Sequence, residues 1–291
     1  MQREITQDWV LRQLPPRPQQ TNKGSFGTVL AVAGSMAYRG AAALCTEGAL
    51  RSGAGLVYLA AVEPVLQLAL LRTPECCACG CRTDADGCIH PQDAAALRRW
   101  FSERDAVLLA GPGLGQNAGA VCKALLGRGA AWRAAVWDAD ALNALTRGEW
   151  RMQKDLPGII TPHPGEAARL LGTDAAAIQA DREGAARELA QRFGCVAVLK
   201  GSGTLVAEPE GTVWHNATGN AGLARGGSGD VLAGMIAALL AQGLIPAAAA
   251  CCGVWLHGAA ADRCAKRRSQ LAMLPHDILE DLGTLLAEAG R

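Results

Sequence analysis

No stretch of 18 consecutive apolar residues occurs in the 291-residue chain, which excludes an ordinary membrane-spanning helix. The N-terminal stretch MQREITQDWVLRQLPPRP lacks the apolar core of a secretory signal. Neither charge is in excess: 28 Lys and Arg face 27 Asp and Glu, a formal net charge of +1. The one basic run, Lys266-Arg267-Arg268, reads as a solvated turn, so nucleic acid is a poor partner. No linker, repeat or low-complexity segment divides the chain. The expectation is a soluble, cytoplasmic protein with a Pro-rich lead-in over residues 1–20 and a single domain over 21–291.

Cysteine, by contrast, is plentiful. Eleven are present, five of them within PECCACGCRTDADGCIH. Without an export signal, reduced thiols are expected. Cys79, Cys81, Cys88 and His90 form a candidate zinc set, but they lack the CxxC pairing of common structural sites. No metal site is assigned on that spacing, and buried small hydrophobes with a few surface thiols are the expectation.

Half of the residues are apolar, ample for a core. Short apolar runs end in Gly, Pro or acidic residues: TVLAVAGS (28–35), GLVYLAAVEP (55–64), AVLLAGPGLG (106–115), AAVWDADALN (134–143), GIITPHPGE (158–166) and CVAVLKGSGT (195–204). Ala-rich stretches with helical spacing lie between them, at 40–52, 92–103, 117–128, 174–193 and 246–264. The alternation predicts an α/β fold with a mostly parallel sheet and helices on both faces. Gly34-Ser35, Gly111-Pro112-Gly113, Asp138 with Asp140, His163 and Lys200-Gly201 each follow a predicted strand. Ligands of open α/β sheets bind outside the carboxyl ends of the strands, so these five loops are expected to converge on one crevice.

The densest glycine segment, GNAGLARGGSGDVLAGMIAALLAQG (219–243), opens a strongly apolar helix near Asp230. Val231, Met235 and Leu239 form one row at i, i+4 spacing, and Leu232, Ile236 and Leu240 the next, so this helix is firmly packed. Its first turn offers free N–H groups and the positive end of the macrodipole. Glycines at 226, 227 and 229 permit positive φ and close approach, which together suit a phosphate or other oxyanion. Asp230 is either a first-turn acid favoured by that dipole or a general base that deprotonates a hydroxyl attacking the phosphate.

The remaining motifs each carry two readings. GPGLG is a turn or part of the site, and Asp140 in DADALN caps a helix or serves the crevice. In TPHPGEAARLL, Pro162 and Pro164 hold His163 extended, as a cap or as a ligand contact. Lys200 in LKGSGT contacts a phosphate or is merely solvated.

Taken together, NKGSFGTVLAVAGS, GAAALCTEGALRSGAGLV, LLAGPGLG, WDADALNAL, TPHPGEAARLL, LKGSGT and the 219–243 segment resemble the ADP-dependent NAD(P)H-hydrate dehydratase family of the ribokinase-like fold. The resemblance runs from Leu14 to Gly243 and more weakly to Asp277, with TPHPGE and GGSGDVL its strongest pair. Near the C-terminus, LPHDIL keeps only Asp277-Ile278 of the family's short Ala-Ser-Asp-Leu/Ile stretch. The Cys-rich insert after Pro74-Glu75 has no counterpart in the family pattern.

The resemblance implies a hydro-lyase that repairs hydrated nicotinamide cofactors of the S form. The ring hydroxyl is phosphorylated by ADP in bacterial members, by ATP in eukaryotic ones. Phosphate then leaves, restoring NADH or NADPH and giving AMP. Asp230 would be the base, touching substrate as well. Amides around Gly227, Ser228 and Gly229 would hold the transferred group. Lys200, Gly201, Ser202, Gly203 and Thr204, with Gly229 and the nearby loop residue Asn220, would contact the nucleotide. Ala41, Gly113 and His163 would line the hydrated-cofactor site. Magnesium would neutralise the nucleotide phosphates, and a homotetramer is implied. The epimerase domain that many relatives carry has no room in this sequence, as expected for a stand-alone dehydratase or an excised domain. The alternative within the fold is a vitamin-precursor kinase acting on a hydroxyethylthiazole or hydroxymethylpyrimidine; TPHPGE with DADALN favours the dehydratase.

Overall fold

Strand and helix alternate along the chain, and the computed structural model, which describes residues 2–291, gathers the strands into one ten-stranded sheet. These are β1 (Gln2–Glu4), β2 (Thr28–Val32), β3 (Leu56–Val62), β4 (Cys77–Cys81), β5 (Ala106–Ala110), β6 (Ala134–Trp137), β7 (Gly158–Ile160), β8 (Val196–Leu199), β9 (Leu205–Ala207) and β10 (Val213–His215). Across the sheet they run β1-β10-β9-β8-β7-β6-β5-β2-β3-β4, and β9 alone runs against its neighbours. Every residue of β5, β6 and β8 is buried, as unbroken apolar strands demand when both faces are covered.

One face carries α2 (Arg39–Arg51), α3 (Glu63–Arg72), α10 (Ser228–Ala241), α11 (Pro246–Arg268) and α12 (Ile278–Glu288), with α1 (Gln7–Gln13) against α11. The other carries α4 (Pro91–Phe101), α5 (Ala118–Leu125), α6 (Asp140–Thr146), α7 (Pro164–Leu171), α8 (Ala175–Ala180) and α9 (Arg182–Phe193). The mostly parallel, doubly covered sheet is the architecture the sequence predicts.

Central to the first face is α10, wedged between α2, α11 and strands β2, β5 and β6. Two glycines permit this. A Cβ on Gly234 would sit 2.0 Å from the Cys45 carbonyl oxygen, and one on Gly48 would sit 2.5 Å from that of Val231. At the other end Gly27, with φ +72°, lets the chain entering β2 pass against the Ala241 backbone, where a Cβ would be 1.9 Å from the carbonyl oxygen. The C-terminus of α10 therefore lies at the amino end of β2, and its N-terminus points to the carboxyl edge of the sheet.

Three elements differ from the sequence reading. The expected lead-in contributes β1, paired in parallel with β10, and α1, with Ile5, Val10 and Leu14 buried and Trp9 packed 4.8 Å from Trp214. Its few apolar residues are enough to dock it; Met1 lies outside the described residues. The helical stretch at 174–193 is two helices, divided at Asp181, whose side chain accepts from Gly184 N and so starts a second helix. In the Cys-rich segment, Cys77–Cys81 forms the edge strand β4, a pattern that glycine and alanine at alternate positions conceal.

Candidate active site

Asp230 stands in the first turn of α10, half-buried. Of the three glycines before it, Gly227 alone takes the left-handed conformation, φ +98°, as the residue that turns the chain into the helix. No side chain caps this N-terminus, so its free N–H groups remain available to an anion. Burial, and then the nearby Asp138 carboxylate, push the Asp230 carboxyl up to about 7, against the pull of Lys200.

Lys200 leaves the end of β8 and turns inward. Its Nζ donates to Asp138 Oδ1 at 2.8 Å and lies 3.9 Å from Glu166 Oε2. Burial pulls its ammonium down, but Asp138 and Glu166 outweigh that and hold it above its ordinary value. A Cβ on Gly229 would come within 3.1 Å of Nζ, so the missing side chain at 229 leaves the lysine beside the α10 N-terminus. Asp138, at the end of β6, is almost fully buried and also accepts from Thr161 Oγ1 at 2.7 Å. The next residue, Ala139, adopts φ +47° and ψ −115°, a costly conformation for a residue with a Cβ. Beyond it Asp140 turns the other way and accepts from Gly115 N at 2.8 Å.

His163 caps α7. Its Nδ1 accepts from Gly165 N at 3.0 Å and Glu166 N at 3.4 Å, while Glu166 Oε2 accepts from His163 N at 2.8 Å. An accepting Nδ1 leaves Nε2 as the donor of a neutral ring. Burial, then the charges of Lys200 and Arg169, lower the imidazole's affinity for a proton. Burial likewise raises the Glu166 carboxyl. Alongside, a Cβ on Gly113 would lie 3.0 Å from the Ala41 Cβ, so the loop after β5 meets the start of α2. All five strand-end loops thus touch in sequence, since Gly34 N donates to Pro112 O at 2.8 Å and Lys200 N to Pro162 O at 2.9 Å.

A carboxyl near neutrality, a lysine and open helix amides on one edge of this sheet are chemically suited to an anion and a proton transfer, and sequence comparison says which family shares them. The family model described as NAD(P)H-hydrate dehydratase matches residues 29–283. The chain belongs to that family. It is 43% identical over 287 residues to the bifunctional NAD(P)H-hydrate repair enzyme Nnr of Moorella thermoacetica, covering 98% of this chain and 54% of that protein. The chain therefore spans about half the length of the bifunctional relatives it matches. It is 43% identical over 252 residues to the ADP-dependent (S)-NAD(P)H-hydrate dehydratase of Neisseria meningitidis, covering 84% of this chain and 80% of the relative. The ADP/ATP-dependent NAD(P)H-hydrate dehydratase of Bacillus subtilis, crystallised with ATP and Mg2+, superposes with a TM-score of 0.85 at 33% identity, over 98% of both chains. The fold is ribokinase-like.

Within this NAD(P)H-hydrate dehydratase framework the structure brings Asp230, Gly229 and Lys200 together, with Gly227 and Ser228 in the same turn. Ala41 and Gly113 meet, while His163 follows β7, two strands along the same edge. The loop Gly201-Ser202-Gly203-Thr204 closes on itself, with Thr204 Oγ1 donating to Gly201 O at 2.9 Å. Asn220 behaves differently. Its amide donates to Asp262 Oδ1 and accepts from Gly222 N, both at 2.9 Å, so it braces the loop it belongs to. Sequence reasoning gave no role to Glu166, Thr161 or Arg182. Arg182 Nη2 reaches the carbonyls of Leu199, Lys200 and Gly203 at 3.2, 3.3 and 3.3 Å and fixes the 200–204 loop. Only the strand-end position of TPHPGE signalled Glu166; nothing local signalled Arg182, which acts from a helix two elements away.

All eleven cysteines are free thiols. Among the described residues no group of three or more His, Cys, Asp or Glu side chains could hold a metal ion. Nor is any helix among them long and apolar enough to cross a membrane.

Proposed function

We propose that the chain dehydrates hydrated NADH and NADPH with ADP as phosphoryl donor, giving AMP, phosphate and the restored cofactor. Asp230, as a carboxylate, takes the proton of the ring hydroxyl while that oxygen attacks the terminal phosphorus of ADP and AMP departs. Amides of Gly227, Ser228 and Gly229, with Lys200 beside them, carry the charge of the group in transit. The phosphate ester is then a good leaving group: the ring-nitrogen lone pair expels it, and loss of the adjacent ring proton closes the double bond.

The observation that carries this reading is the Asp230 carboxyl raised to about 7 at an uncapped helix N-terminus. A general base works best with a pKa near the operating pH. Ala41, Gly113 and the Nε2 of His163 would face the hydrated ring, and the 200–204 loop the adenosine end of the nucleotide. Oxygen-rich phosphates suit magnesium, which would ride on the nucleotide and neutralise its charge, since no protein cage for it exists among the described residues. Free thiols throughout support a cytoplasmic setting.

The test supplies hydrated NADH, ADP and magnesium and follows absorbance at 340 nm. Recovery of the reduced chromophore with equimolar AMP is expected. A stable phosphorylated product without recovery would put the kinase reading in its place, and no consumption of ADP would overturn both.

A further inference from the structure

His257 is a buried titratable group to which the proposed chemistry gives no task. It lies in the middle of α11, only 6% exposed, where α11 packs on α10 and on β7, β8 and β9. Its imidazole rests against the main chain of Ser228, the first residue of α10. Two buried side-chain atoms in this corner have no hydrogen-bond partner: His257 Nε2 and Ser228 Oγ. Ser228 is itself only 7% exposed and belongs to the turn that would grip the transferred group. Buried polar atoms without partners are rare in native folds, and two of them on helices packed against each other call for a cause.

We infer that His257 is a positioning residue for the anion cradle: its Nε2–H donates to Ser228 Oγ when the nucleotide binds, which aims the Ser228 hydroxyl proton at a phosphate oxygen. The inference rests on the phosphoryl-transfer reading above. One donor passes to the next, so the Ser228 hydroxyl proton finds its acceptor only with an anion in place. The direction of donation requires a proton on Nε2. Burial lowers the His257 pKa to about 4, with Ser228 opposing and the Lys200 charge adding to the fall, so the ring is neutral at working pH. The position of the helix is also fixed. A Cβ on Gly258, the next residue, would meet Thr218 Oγ1 at 2.3 Å, and Thr218 Oγ1 donates to Trp255 O at 3.0 Å. Asp262, one turn further, holds Gly219 N at 2.9 Å. α11 thus grips the glycine-rich loop from behind, and His257 is its contact with the loop's catalytic end.

The experiment is a double-mutant cycle on the whole chain, with Ser228→Ala, His257→Leu and the pair, read as AMP affinity by calorimetry and as kcat and KM for ADP. Each single change is expected to weaken AMP binding about 10-fold, and the double to be no weaker than the worse single. His257→Gln, whose amide can reach the Nε2 position, is expected to recover most of the loss. Losses that multiply in the double variant would mark His257 as merely structural and overturn the inference. Should His257→Leu fail to fold, 15N NMR of the wild-type imidazole decides instead. The Nε2–H resonance is expected to move downfield on AMP addition in wild type and to stay still in Ser228→Ala; an unmoved wild-type resonance overturns the inference. These readouts use AMP binding, so a wild-type protein that binds AMP yet never restores NADH would sink the proposed function separately.

Discussion

The Nζ of Lys200 lies 2.8 Å from Asp138 Oδ1, and this pair sets the electrostatics of the candidate site. Three carboxyl groups, on Asp138, Glu166 and Asp230, act on that single ammonium from three different elements. Breaking a buried pair by removing one partner leaves an uncompensated charge, and the loss is larger than the net contribution of the pair. Lys200→Met is expected to destabilise the protein by about 3 kcal/mol. It should also raise the Asp230 carboxyl further, since Lys200 is the group that holds it down. Thermal denaturation and a pH–rate profile displaced to higher pH check the two effects.

Asp230→Asn removes the proposed proton acceptor and keeps the shape. Turnover is expected to fall about 100-fold or more while AMP affinity stays within a few-fold. Normal turnover in this variant would remove Asp230 from the chemistry.

The same residue makes a stability prediction with a definite sign. Its folded-state pKa, about 7, lies above its ordinary value of 3.8, so the native state binds the proton more tightly than the unfolded chain. Stability contributed by this group is present below pH 3.8 and is lost as pH rises through 7. At pH 8 Asp230→Asn is therefore expected to be more stable than wild type, by no more than about 4 kcal/mol, three pKa units at 1.36 kcal/mol each. Urea titrations of both proteins at pH 5 and pH 8 measure it; a gain that is no larger at pH 8 contradicts it.

Because the proposed base, Asp230, must be ionised to act, kcat/KM of the wild type is expected to fall as pH drops below about 7, tenfold per unit once well below. The limb should be absent from the residual activity of Asp230→Asn.

Gly234→Ala tests the crossing of α10 with α2. Alanine gains up to about 1 kcal/mol in helix propensity. The new methyl, however, would sit 2.0 Å from the Cys45 carbonyl oxygen, backbone that cannot swing aside. A net loss of about 1–3 kcal/mol is expected. Since α2 carries Ala41 and α10 carries Asp230, kcat should fall with it.

Much of this was readable from residues alone, for specific reasons. Short uninterrupted apolar runs such as Ala106–Ala110, bounded by glycine and proline, fit strands covered on both sides, whose polar ends gather at one edge. The glycines before Asp230 announced an open helix terminus. What could not be read was pairwise. Lys200 finds Asp138 across 62 positions of sequence, and no local pattern tells a lysine facing a phosphate from one facing a carboxylate. Asn220 shows the same gap: its place in the loop suggested a ligand contact, and nothing local announced that its amide also pairs with Asp262 and Gly222. The N-terminal strand was hidden by its brevity, since three residues carry no periodicity.

Ala139 forks the loop after β6. Its left-handed backbone separates two aspartates that would otherwise follow one another along the same path, sending Asp138 toward the lysine and Asp140 toward the amide of Gly115. One kinked peptide thereby forks the loop between the half of the crevice proposed for the donor and the half proposed for the acceptor. Any shift of one prong moves the other, so the spacing proposed for the two reactants would be built into a single residue's torsions.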